Sequence, residues 1–223
     1  MVNRKLSELE IVRKQFLFFE NNYYKCAKIN CVSGYREKHN IIGFSSPRIN
    51  FKSYREVYTD MVENNKYYLI FIDGSILNME YLFDGNIICK HTLSFYPSCN
   101  NELGSSGSEA LEQYGIEDEN EIEDLQILLS NYIRVDFDEV GRKEYFHSLV
   151  HMHTSVFKQS VRFPVESYIL PLEFICFVLK YIYRENGQYL DDWYVKLQSD
   201  YNLFDTRKLL TENELKRFRL HFR

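Results

Sequence analysis

YIRVDFDEVGRKEYFHSLVHMHTSVFKQSVRFP, residues Tyr132 to Pro164, is the stretch whose reading decides the fold. In Tyr132–Asp138, Arg134, Asp136 and Asp138 alternate with Ile133, Val135 and Phe137. In Leu149–Phe157, His151, His153 and Ser155 alternate with Val150, Met152, Thr154 and Val156. After Lys158-Gln159, read as a two-residue turn, Ser160 and Arg162 alternate with Val161 and Phe163. A strand sends successive side chains to opposite faces. Three such strands paired as neighbours gather two arginines, two aspartates and two histidines on one face of a sheet. The other face is apolar and turns to the core.

Outward from this stretch the β signal continues. Tyr67–Ile72 reads as a strand, Asp73-Gly74 as a type I′ turn, and Ser75–Phe83 as the returning strand. Asp84-Gly85 reads as a second turn of the same kind before Asn86–Tyr96, and Pro97 ends the run. Asp-Gly takes the positive φ of such turns readily, so the three runs form an antiparallel meander. His91 falls among Ile87, Cys89, Leu93 and Phe95, on the apolar side.

Helices flank the sheet. Ser7-x-x-Glu10, Ser53-x-x-Glu56 and Thr211-x-x-Glu214 are capping-box patterns. The first predicts a helix to Glu20 with Leu9, Val12, Phe16 and Phe19 on one stripe, and the second a helix to Asn64. Tyr23–Pro47 reads as short extended pieces, and Leu125–Ser130 as the end of a short helix. Pro171 suits the first turn of a helix over Leu172–Arg184 that is apolar nearly all round, with Asn186-Gly187 as its stop. Another helix starts at Asp191 or Asp192 and runs through Asp200. The expected class is α+β: an antiparallel sheet, meander plus hairpin, with helices packed on one face. One domain spans 1–223, with a helical N-terminal part (1–65), the sheet (66–164) and a helical C-terminal part (165–223).

Composition excludes several classes. A net charge of −5 argues against non-specific coating of nucleic acid, which needs many basic contacts. Five scattered cysteines describe neither a disulfide framework nor a C-x-x-C zinc site, and read as thiols in a reducing compartment. The N-terminus is charged throughout, and the most apolar run, Phe174–Leu179, is far shorter than a membrane span. The expectation is a cytoplasmic protein with no membrane segment. The GSSGS loop in Asn100–Gly115 lacks the lysine of a phosphate loop, and the acidic run Glu117–Asp124 reads as a solvated surface.

The polar face carries the chemistry. His151 and His153 lie on the same side of one strand, and three readings stand. The first is a divalent metal site completed by Asp136 or Asp138. The second is acid–base catalysis on a phosphodiester, one histidine deprotonating a nucleophile and the other protonating the leaving group, with Arg134 or Arg162 stabilising the phosphorane. The third is a hydrogen-bonded face with cross-strand pairs Arg134–Asp136 and Arg162–Asp138, covering the sheet or docking another chain. His147 lies outside the alternation. Apart from this face, the basic terminus LKRFRLHFR could dock on an acidic partner or a sister subunit, against the simpler reading of a solvated helix face.

IDGSILNMEYLF, KHTLSFYPS, YIRVDFD, HSLVHMHTS, VRFPV and PLEFICFVLKYIY stand in that order from Tyr67 to Tyr183. Together they resemble a bacterial family known as domain of unknown function two-two-nine-zero. The resemblance carries over Asp73, Gly74, His91, Arg134, Asp136, Asp138, His151, His153, Arg162 and Pro164 as motif positions. The chain departs from the pattern at Asn78, where glutamine is expected, and at Thr154-Ser155, where a small residue or glycine is expected. The family brings no activity with it. Its implied company is mobile or defence-associated genes, which points to RNA or a nucleotide as substrate. The alternative is a non-enzymatic subunit or regulator that binds a protein partner or a second copy of itself.

Overall fold

The computed structural model of the protein describes residues 6–45, 54–98, 132–138, 149–154 and 162–201. They form an α+β fold around one antiparallel sheet. Its strands are β1 (Ile29–Val32), β2 (Glu37–Lys38), β3 (Ile41–Gly43), β4 (Leu69–Phe71), β5 (Ile76–Asp84), β6 (Ile87–Tyr96), β7 (Ile133–Asp138), β8 (Val150–His153) and β9 (Arg162–Pro164). The helices are α1 (Glu8–Glu20), α2 (Tyr54–Glu63), α3 (Pro171–Phe177) and α4 (Gln188–Tyr201). The Ser53 cap, the segment from Asn100 to Ser130, His147, Ser155, the Lys158-Gln159 turn and the helix after Thr211 lie outside the described residues.

The sheet runs β1-β4-β5-β6-β7-β8-β9, with β3 against the second half of β5 and β2 beyond it. Residues 1–65 are therefore more than helical: the extended pieces read in Tyr23–Pro47 are β1, β2 and β3, edge strands held by pairing to β4 and β5. Both Asp-Gly turns differ from the type I′ expectation. At the first, Gly74 donates its N–H to the Phe71 carbonyl, and Gly74 alone takes positive φ, +85°. That is a three-residue loop with a left-handed glycine at its end. At the second, Asp84 pairs with Ile87 and Gly85 has φ +61°. Positive φ at the first central position only is the type II′ pattern. Strand pairing set the loop lengths, and the glycines took whichever position needed the left-handed backbone.

Residues of one parity, including Leu77, Met79, Tyr81, Leu93, Phe95, Val135, Phe137, Val150 and Met152, form the buried face. On it pack Ile11, Val12, Phe16 and Phe19 of α1, Phe174 and Ile175 of α3, and Trp193 of α4. Each large apolar side chain so buried contributes about 1.5–3 kcal/mol. The fourth helix, α2, lies on the other face: Tyr54, Val57, Tyr58 and Met61 cluster with Ile76, Tyr96 and Tyr132, which share parity with the polar residues. No helix among the described residues is long and apolar enough to cross a membrane. The described cysteines Cys26, Cys31, Cys89 and Cys176 are thiols.

Buried polar side chains lock the helices to the sheet. Ser7 and Glu10 close the expected capping box on α1. The Glu8 carboxylate accepts the Ile88 N–H at 2.6 Å, fixing the start of α1 to β6. The Gln15 side chain accepts the Leu172 N–H at 3.1 Å, satisfying an otherwise orphaned donor in the first turn of α3. Pro171 occupies the first turn as expected, but α3 continues through a wider π turn (Val178–Ile182) and stops at Tyr183, with Arg184 at φ +52°. Asn186-Gly187 is not its cap. Tyr183 is tied down instead, its hydroxyl on the Asp73 carboxylate and its ring stacked on Phe71 with centroids 4.5 Å apart.

His91 and Tyr81 are cross-strand partners on the buried face, and they grip one residue of the segment leading to α3. Ile169 donates its N–H to His91 Nε2 at 3.2 Å, and its carbonyl accepts the Tyr81 hydroxyl at 2.8 Å. Burial pushes the His91 imidazole from 6.5 down to about 3, with the Asp136 carboxylate pulling weakly the other way. A histidine neutral when folded and cationic when unfolded stabilises the fold fully above pH 6.5, and that contribution is lost as pH falls toward 3. The slope is about 1.4 kcal/mol per pH unit. His91→Phe, which keeps the ring but strands the Ile169 N–H, is expected to lower stability at pH 8 by about 1–3 kcal/mol. It should also flatten the decline between pH 6.5 and 5, measured as urea unfolding midpoints along a pH series. A wild-type-like acid slope in this variant would contradict the assignment.

Candidate functional site

Cross-strand register builds the polar face. Arg134 pairs with His153 and Asp136 with His151 across β7–β8, and His153 pairs with Arg162 across β8–β9. One row of the sheet thus reads Arg162, His153, Arg134, and the next reads Pro164, His151, Asp136. Both rows continue into β6, where Ser94 lies beside Arg134 and Thr92 beside Asp136, and then into β5 at Asn78 and Glu80. Thr92, Ser94 and Glu80 are not among the residues the sequence points to, since β6 is read there only through His91 on the opposite face, and Asn78 is singled out only as a departure from the family pattern. The alternation of Thr92 and Ser94 with Leu93 and Phe95 was the signal available.

Asp136 is the centre of the cluster. Its carboxylate accepts the Thr92 hydroxyl at 3.1 Å and Arg134 Nε at 2.9 Å, and its Oδ2 lies 3.5 Å from His153 Nε2. The His151 and His153 rings meet edge to face with centroids 4.8 Å apart. One donor atom each from Asp136, His151 and His153 falls within 4.8 Å of the others. Exposure is graded: His151 is buried, while the Asp136 and His153 side chains are 17 % and 14 % exposed and Arg134 is 30 % exposed. Burial drives the Asp136 carboxyl up, but the hydrogen bond from His153 and the adjacent Arg134 guanidinium outweigh it and hold it well below the carboxylate range. Burial works against the Arg134 cation, yet Asp136 raises its pKa overall.

The remaining candidates are dispersed. Arg162 is exposed on the edge strand β9, next to His153. Asp138 sits one row beyond Asp136 and pairs with Lys90 at 3.0 Å, because register puts Lys90 opposite it. The expected Arg162–Asp138 pair does not form, since Arg162 lies in the Arg134 row. The Arg134–Asp136 pair is real but runs along β7 between alternate residues, not across strands. His91 lies on the buried face, away from His151 and His153. Asp73 sits in the β4–β5 turn, capping the Ser75 N–H at 2.9 Å and holding Tyr183.

A partly buried ion pair in which each charge offsets the burial of the other has a testable asymmetry. Arg134→Met is expected to destabilise the fold by about 2–3 kcal/mol, below the roughly 3–5 of a fully buried pair because both groups keep some solvent. Arg134→Met combined with Asp136→Asn should recover more than half of that loss. Urea midpoints of the two variants check it, and a double variant no more stable than Arg134→Met would refute the coupling.

The family model described as "Uncharacterized conserved protein (DUF2290)" matches residues 17–222. Comparison with curated proteins finds no match, and neither does comparison with solved structures. A match over nearly the whole chain settles the family: this protein belongs to the uncharacterised conserved family DUF2290.

Proposed function

We propose that the protein acts on a phosphodiester, in RNA or a nucleotide, at the face built by Arg134, Asp136, His151, His153 and Arg162. The observation that carries this reading is the row in which His153 stands between two arginines, directly beside the Asp136 cluster. A phosphodiester anion fits between two guanidiniums, whose planar donors match phosphate oxygens and stabilise the charge that develops on them. Asp136, His151 and His153 form a compact group on one side of that anion and activate the attacking oxygen. Their donor atoms lie within 4.8 Å of one another, which favours joint activation of one oxygen over separate acid and base roles on opposite sides of the phosphorus. The mobile or defence-associated gene company implied by the family resemblance suits such an activity.

The test is cleavage of a single-stranded RNA oligonucleotide and of bis(p-nitrophenyl) phosphate, each with and without added divalent ions. His153→Ala is expected to lower kcat at least about 100-fold, the range for loss of a proton-handling group. Arg162→Ala should act mainly on KM, since its guanidinium meets substrate at the exposed edge. Circular dichroism confirms that both variants fold. A wild type that cleaves neither substrate, or a His153→Ala variant that cleaves as well, overturns this reading and leaves the face as a docking surface for a protein partner.

A further inference from the structure

We propose that Asp136, His151 and His153 together bind one divalent first-row transition metal ion of the zinc class. Whether the ion binds is independent of the phosphodiester reading; only its role in activating the attacking oxygen rests on it. The two histidines project from alternate positions of β8, and Asp136 projects from β7 directly across from His151. Two adjacent strands therefore present three donors on one face, within 4.8 Å of one another. A tetrahedral ion with bonds of about 2.0–2.1 Å holds its ligands about 3.3 Å apart, so the set closes by a contraction of about 1.5 Å, within reach of side-chain rotation.

Two further features support the assignment. The first is the support around the carboxylate. Thr92 and Arg134 already bond Asp136, the outer contacts that orient a ligand carboxylate and without which affinity falls. The second is graded burial. His151 is enclosed, whereas Asp136 and His153 reach the surface, so an ion with three protein ligands keeps a solvent-facing position for water or a substrate oxygen. Two imidazoles with one carboxylate select zinc, cobalt or nickel over magnesium and calcium, which prefer oxygen donors throughout.

The experiment uses the full chain, stripped with chelator and dialysed. Zinc binding is followed by calorimetry with magnesium as control, and cobalt by its visible absorption, which reports tetrahedral coordination. The expected result is one zinc per chain, tetrahedral cobalt spectra, no magnesium heat, and a rise in Tm with zinc. His153→Ala and Asp136→Asn should each weaken zinc at least about 100-fold, and Thr92→Val by about tenfold while leaving the stoichiometry at one. These residues are chosen over buried His151, whose loss could unfold the chain. Zinc uptake that is absent in the wild type, or unchanged in both ligand variants, overturns the proposal. Zinc bound through His153 without cleavage of either RNA or bis(p-nitrophenyl) phosphate upholds the site and removes the phosphodiester reading. Cleavage in chelator without zinc uptake does the reverse.

Discussion

The period-two alternation of β5 through β8, held in register across four neighbouring strands, is the constraint on which everything else depends. A slip of one residue anywhere in this array would exchange its faces, placing Arg134, Asp136 and His151 in the core and Val135, Phe137 and Val150 in solvent. The buried face makes that slip prohibitive, because its large apolar residues share one core with residues of α1, α3 and α4. Apolar packing on one side thus positions the polar chemistry on the other, with no contact between the two layers needed.

The helices are oriented by hydrogen bonds as well as by burial. Ile169 is gripped at both backbone groups by His91 and Tyr81, and three residues on, at Leu172, Gln15 of α1 caps the start of α3. These are non-local contacts between polar atoms with little access to water, so each is worth more through the penalty for leaving it unmade than through its net strength. At its other end α3 stops at Tyr183, which the Asp73 carboxylate and the Phe71 ring hold, and the backbone turns left-handed immediately after it.

On the polar face the deciding quantity is compensation of charge. Asp136 stays ionised in a half-buried position because Arg134, Thr92 and His153 all face it. Such an arrangement is rigid and prepaid, which suits a site that must present donors to a ligand without reorganising. At one end of this face, α2 and the Tyr54, Tyr96 and Tyr132 rings form an apolar wall next to the Arg134 row.

Sequence alone determined the features governed by short-range periodicity. These were the two-faced strands around Arg134–Asp138 and Val150–His153, the capped helix after Ser7, the proline at the start of α3, the buried position of His91 and the α+β class. Each follows from residues within a few positions of one another. The tertiary structure decided which polar residues meet. Asp138 could have joined Arg162, but register sends it to Lys90; Arg134 and Asp136, two apart on β7, meet along that strand and not as a cross-strand pair. Thr92 entered the site from a strand read only for its other face, and the turn types and the α3 terminus followed from pairing and from Tyr183. Alternation tells a residue which side it faces; the neighbour it finds there is set by the register of other strands, and that register is fixed only when the whole core packs.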